Sequence, residues 1–159
     1  MNRRTLLARF GALVLATGLA LPVVAWAETY GVENQWGGSS APWHPGGTWT
    51  LGSRTGQPVV ALQITSRDGG RTFTGTMTYR GEGPIGFRAR SVGPNRYVVQ
   101  NQWGGDSAPW HPGGNWVIGG RPNQPAVAVD VRSPDDGRTL VGTMTYRGEG
   151  PVGFRTTSR

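Results

Sequence analysis

Asn34-Gln35-Trp36-Gly37-Gly38-Ser39-Ser40-Ala41-Pro42-Trp43-His44-Pro45-Gly46-Gly47 decides how this chain is read, because the chain nearly repeats it. It returns 67 residues later, from Asn101 to Gly114, with Asp106 in place of Ser39 and no gap. Further on, Gly75-Thr76-Met77-Thr78-Tyr79-Arg80-Gly81-Glu82-Gly83-Pro84 returns as Gly142 to Pro151 at the same offset. Two copies of one pattern imply one structural unit built twice, and a function performed twice.

The pattern inside each copy is that of strands. In Thr72-Phe73-Thr74-Gly75-Thr76-Met77-Thr78-Tyr79 the residues Phe73, Met77 and Tyr79 fall on one face and the threonines on the other. Val60, Leu62 and Ile64 share a face in the preceding strand, and Ile85, Phe87 and Ala89 in the following one. Trp49 with Leu51, and Tyr30 with Val32, mark two earlier strands. This predicts five strands per repeat, near 30–35, 48–53, 59–66, 72–80 and 85–91, repeated between Tyr97 and Arg159. No stretch past residue 27 sustains a helical period free of Gly and Pro, so almost no helix is expected.

The repeats, about 30–92 and 97–159, are joined only by Val92-Gly93-Pro94-Asn95-Arg96, too short for a flexible linker. Half of the unit would be marginal alone. Ten antiparallel strands closed into one β-barrel would remove both sheet edges. Two five-stranded sheets packed as a sandwich are the alternative.

Residues 1–27 have the form of an export signal, leaving 28–159 as the mature unit. Arg3, Arg4 and Arg9 form a basic start, Gly11 to Val24 an apolar middle, and Ala25-Trp26-Ala27 a cleavage site. The arginine pair also fits a twin-arginine signal. An uncleaved membrane anchor is the alternative, against which the apolar run is short. The expectation is a protein secreted or periplasmic in a bacterium, with no membrane contact once mature.

Of the 16 basic residues, all Arg, 3 lie in this leader, leaving 13 against 9 acidic side chains. They form no run, so a nucleic acid partner is not expected. There is no Cys, hence no disulfide, thiol nucleophile or thiolate metal site.

Trp36 and Trp103 are each followed by two Gly, which leaves the indole on a loop and lets a ligand approach the backbone. An uncovered indole is a seat for the C–H face of a sugar. Core packing is the other place for these rings, and for Trp43, Trp49, Trp110 and Trp116, in or beside strands, it is the expected one. Arg54 and Arg121 end the second strand of each repeat, and Glu82 and Glu149 sit in Gly-Glu-Gly turns. A guanidinium and a carboxylate so presented can grip neighbouring hydroxyls. A simple surface ion pair is the competing reading.

Catalysis lacks its parts. A glycosidase needs two carboxyl groups about one bond, and each repeat's loops present one. Asp68, Asp135 and Asp136 belong to Asp-Gly turn signals. His44 and His111, each before a Pro in what reads as a loop, have no orienting acid and cannot supply a zinc site. The expectation is a binding protein, not an enzyme, with neither metal nor cofactor.

The run Val32 to Trp43, with Gly75-Thr76-Met77-Thr78-Tyr79 and Gly81-Glu82-Gly83-Pro84-Ile85-Gly86-Phe87, closely resembles the Oscillatoria agardhii agglutinin family. The resemblance spans nearly all of 28–159 in both repeats. It implies one ten-stranded antiparallel barrel that binds high-mannose glycans, without metal, at two sites at opposite ends. It implies recognition of the branched mannose core, agglutination by cross-linking, and kinship with antiviral lectins, in a monomer whose partners are high-mannose oligosaccharides and glycoproteins. It further implies sites assembled across the repeats. One would use Trp36 and Gly37 with Arg121, Glu149 and Gly150. The other would use Trp103 and Gly104 with Arg54, Glu82 and Gly83. The chain departs from the family pattern at Pro45, Pro112, Arg80 and Arg147. Arg80 and Arg147 add charge at the site rims, and Gly120 replaces Ser53 beside the second key arginine.

Overall fold

The computed structural model describes residues 27–52, 54 and 56–157. The expected export signal lies outside the described residues except for Ala27. Ten strands follow in chain order: β1 (Ala27–Gln35), β2 (Trp43–Gly52), β3 (Val59–Thr65), β4 (Thr72–Tyr79), β5 (Ile85–Gly93), β6 (Arg96–Gln102), β7 (Trp110–Val117), β8 (Ala126–Arg132), β9 (Val141–Tyr146) and β10 (Pro151–Thr157). All pairings are antiparallel. They close into a single barrel in the order β8-β9-β10-β1-β2-β7-β6-β5-β4-β3. Among the described residues there is no helix.

This order exchanges strands between the repeats. β1 and β2 lie beside β10 of the second repeat, and β6 and β7 beside β5 of the first. The repeat junction is a hairpin turn at Pro94-Asn95, with Asn95 at φ 62° and Gly93 facing Arg96. Pro followed by a residue of positive φ suits such a turn. Two joints close the ring: β3 against β8 over Ala61–Thr65, and β2 against β7 through Thr50 and Val117.

The core is shared in the same way. Trp49 packs edge-on against Phe154 (4.9 Å between centroids) and Trp116 against Phe87 (5.1 Å), each pair joining the two repeats. Leu62, Ile64, Phe73, Met77, Val99, Ile118, Val129 and Met144 are fully buried around them. Neither repeat could cover these side chains alone. The tight β2–β7 joint depends on small residues. A Cβ at Gly52 would sit 2.6 Å from Trp116 Nε1, and one at Gly119 would sit 2.7 Å from Trp49 Nε1.

Three expectations from sequence need correction, and bulges account for them. β2 begins at Trp43, not 48, because Glu33 to Gln35 pair with Pro45 to Trp43. Between Gly31 and Glu33 one residue of β1 faces two of β2, Gly46 and Gly47, and Gly47 takes φ +87°. An extra residue slips the in–out alternation by one. Trp43, expected in the core as a Trp in or beside a strand, therefore lies across from Gln35 on the outer face. It is half-buried there, with the Arg155 guanidinium 4.2 Å above its ring. Trp110 repeats this under Arg88 at 4.3 Å. A second bulge, between Val59 and Ala61, turns Val59 into the core and leaves Val60 half-buried.

Candidate sites at the two ends of the barrel

β1 ends and β2 begins at the same barrel end, and antiparallel pairing puts the starts of β8 and β10 there too. That end carries Trp36. β2 then crosses the barrel and delivers Arg54 to the opposite end, where β4 turns into β5 and β6 finishes at Trp103. Arg54 and Glu82 of the first repeat thus meet Trp103 of the second, and Arg121 and Glu149 meet Trp36.

At the Trp36 end the loop after β1 is pinned by Gln35, whose Nε2 donates to the carbonyls of Ala41 (2.8 Å) and Ser39 (3.2 Å). Gly37 and Gly38 take φ +95° and +103°, values that favour Gly, and Ala41 N donates to Gly38 O. The loop holds Trp36 45% exposed. One face of the indole stacks on His44, 4.2 Å between centroids and 15° from parallel, which leaves the other free. Trp103 is 46% exposed and stacks on His111 at 4.1 Å. The two His therefore belong to strands, not loops, and support the indoles from below. The indoles are not without bulky neighbours, as the adjoining Gly residues had implied. The His role was missed in sequence, where the only signal was that both sit at equivalent places.

Arg121 donates to Glu149 Oε2 at 2.6 Å and to Gln124 Oε1 at 3.1 Å. Its guanidinium lies 4.1 Å over the Tyr146 ring and 5.7 Å from the Trp36 ring. At the other end Arg54 Nη1 donates to both Glu82 oxygens, at 2.8 and 2.7 Å, with Tyr79 at 4.1 Å and Trp103 at 5.7 Å. Gln57 adds a bond to Glu82 Oε2 (2.7 Å) and another to the Arg80 carbonyl. Gln124 does the same for Glu149 and Arg147. These bonds, from Gln57 first and Arg54 second, hold the Glu82 carboxyl below its ordinary value of 4.5. Both acids are exposed, so the pairs add little to fold stability. Their effect is to fix a guanidinium and a carboxylate in one orientation beside an open indole. The glutamines and tyrosines that hold them were not singled out in sequence.

Behind each network lies a buried asparagine. Tyr146 Oη donates to Asn34 Oδ1 at 2.8 Å, and Asn34 Nδ2 donates to Gly153 O. Gly83 and Gly150 flank the acids with open space where a Cβ would project. A groove of about 670 Å³ runs from Trp103 and Gly104 past Pro84 and Ile85 to Trp110. Among the described residues no group of His, Asp or Glu is arranged to hold a metal.

The OAA-family lectin sugar binding domain matches the chain twice, over residues 28–92 and 95–159. The chain belongs to the OAA-family lectins. It is 66% identical over 129 residues to lectin OAA of Planktothrix agardhii, covering 81% of this chain and 98% of that lectin. It superposes on the Pseudomonas fluorescens agglutinin with TM-score 0.80 at 64% identity, over 83% of this chain and all of that one. The Myxococcus xanthus hemagglutinin, solved in complex with α3,α6-mannopentaose, matches with TM-score 0.79 at 60% identity. There 81% of this chain covers 48% of the longer partner, so this chain spans about half of that protein. As an OAA-family lectin it is a carbohydrate-binding protein rather than an enzyme, and the repeat offset is the spacing of its two sugar-binding domain units.

Proposed function

We propose that this lectin binds the branched mannose core of high-mannose glycans, one glycan at each barrel end. The Trp36 site would use Gly37, Arg121, Glu149 and Gly150, and the Trp103 site Gly104, Arg54, Glu82 and Gly83. The observation that carries this is the open indole face set beside an ion-paired Arg and Glu at both ends. A mannose ring stacks its C–H face on the indole while adjacent hydroxyls donate to the carboxylate and accept from the guanidinium. Both polar groups are oriented before the sugar arrives, which lowers the ordering cost of binding. The mannopentaose bound to the Myxococcus xanthus relative supports this ligand class.

Sites facing apart cannot both serve one small glycan, so they cross-link separate glycans. Avidity then exceeds single-site affinity by about 10²–10⁴ where geometry permits. Agglutination and antiviral capture follow from that cross-linking. Export by residues 1–27 would deliver the lectin to outside glycans, an assignment supported by the basic, apolar and small-residue order of that segment.

A glycan array with oligomannose and peptidoglycan fragments, followed by calorimetric titration, tests the proposal. Selective oligomannose binding at two glycans per chain is expected. Silence toward oligomannose with capture of peptidoglycan or protein would point to an adhesive β-module.

A further inference from the structure

Each barrel end also carries a second concavity, on the far side of the loop that bears the site arginine. At the Trp36 end it is about 530 Å³, between the β3–β4 and β5–β6 hairpins and the loop from Gly120 to Pro125. Arg121 lines it, so it adjoins the indole site. At the Trp103 end its counterpart is about 510 Å³.

The two differ in charge at equivalent positions. Arg71 and Arg147 line the first, and Arg138 and Arg80 the second. In the first, Asp68 is the one carboxylate lining the wall. Its oxygens accept from Ser66 Oγ, Arg71 N, Thr72 N and Thr72 Oγ1 within the hairpin. In the second, Glu28 and Asp136 stand where the first has Asn95 and Gly69. Three guanidiniums, counting Arg121, thus meet one carboxylate at the Trp36 end, and two meet two at the Trp103 end, among the described residues. The tyrosine beneath each cleft registers this. Burial, then Glu28 and Asp135, push the Tyr30 phenol up to about 12. Burial and Asp68 alone raise Tyr97.

Arg147 spends one donor on the Asn123 carbonyl (2.6 Å), and neither it nor Arg71 has a carboxylate within ion-pair distance among the described residues. A guanidinium carries five donors, so most of theirs have no protein partner among the described residues, while both side chains line the cleft.

Building on the mannose reading, we propose that the cleft behind Arg121 takes an anionic group on a glycan arm, a phosphate ester or a uronate carboxylate, while its counterpart at the Trp103 end disfavours one. A branch leaving a mannose seated on Trp36 passes over Arg121 toward Arg147 and Arg71. At the other end the same path meets Glu28 and Asp136. The lectin is then two-faced: one end prefers charged glycans and the other neutral ones.

The test follows the indole N–H resonances of Trp36 and Trp103, which report the ends separately, during titration of the full chain. Three probes are compared: an oligomannose, the same glycan with a 6-phosphate arm, and the same glycan with a uronate arm. At the Trp36 end the phosphorylated probe is expected to bind more tightly than its neutral parent by on the order of threefold to tenfold, the scale of two exposed ion pairs. At the Trp103 end it is expected to bind no better. The gain should vanish in about 0.5 M salt and in R71A/R147A, and largely persist in R71K/R147K. A uronate gain at the Trp36 end would assign the cleft to anions generally, and its absence to phosphate. Equal gains at both ends, or a gain that survives R71A/R147A, would overturn the proposal. So would a neutral parent that binds with no gain from phosphate. A neutral parent that binds neither end would overturn the mannose reading itself, and this inference with it.

Discussion

Replacing Trp36 by Ala separates a ligand platform from a core residue. The ring is 45% exposed, one face lies on His44, and the other is open. If a large aromatic offers about 200 Å² in all, its open face amounts to about 90 Å². At about 25 cal/mol per Å² a sugar covering that face gains about 2 kcal/mol. Losing it weakens binding about 30-fold at that site. The fold loses mainly the stack on His44, about 0.5–1.5 kcal/mol. Trp49, 1% exposed, is the contrast: truncating a buried aromatic costs about 3–5 kcal/mol. Calorimetry with oligomannose should show W36A retaining one site of normal affinity, and W36A/W103A retaining none. Thermal unfolding of both should stay cooperative and close to the parent. If W36A/W103A unfolds like W49A, the indoles are structural. If it binds as before, the sugar sits elsewhere, and the platform argument fails either way.

Five further outcomes are expected. Glu82→Gln should weaken only the Trp103 end, and equal loss at both ends in titration would contradict two separate sites. Because folding lowers the Glu82 carboxyl below 4.5, its ionised form is favoured above that value and lost as pH falls through the lowered one. Affinity at the Trp103 end should therefore hold from neutrality down to about pH 4.5 and fall only below it, as a pH series of titrations would show. Tyr146→Phe removes the 2.8 Å bond to buried Asn34 and should cost about 1–3 kcal/mol in urea unfolding. Gly142→Ala would drive a Cβ into the Asp130 carbonyl at φ +154° and should lower stability by about 1–3 kcal/mol or more. Gly150→Ala, where nothing lies within 4 Å, should leave the melting temperature nearly unchanged.

The repeat itself determined most of what could be read without coordinates. Strand count, the Phe73-Met77-Tyr79 inner face and the Gly-flanked indoles depend on neighbours in the chain, and alternation exposes them directly. Alternation failed where a bulge adds a residue: at Gly46-Gly47, which sends Trp43 outside, and at Val59, which displaces Val60 from the core. No local rule announces those, because a bulge is defined by the strand opposite. The partnership of Trp36 with Arg121, given by family resemblance, has its physical cause in the barrel. β2 and β7 each carry an arginine from one end to the other, so each repeat furnishes half of both candidate sites. His44 beneath Trp36 and Gln57 on Glu82 depend on the register of neighbouring strands within one repeat, which the sequence does not print. The unequal charge of the two clefts exists only after closure, because each cleft is lined from both repeats.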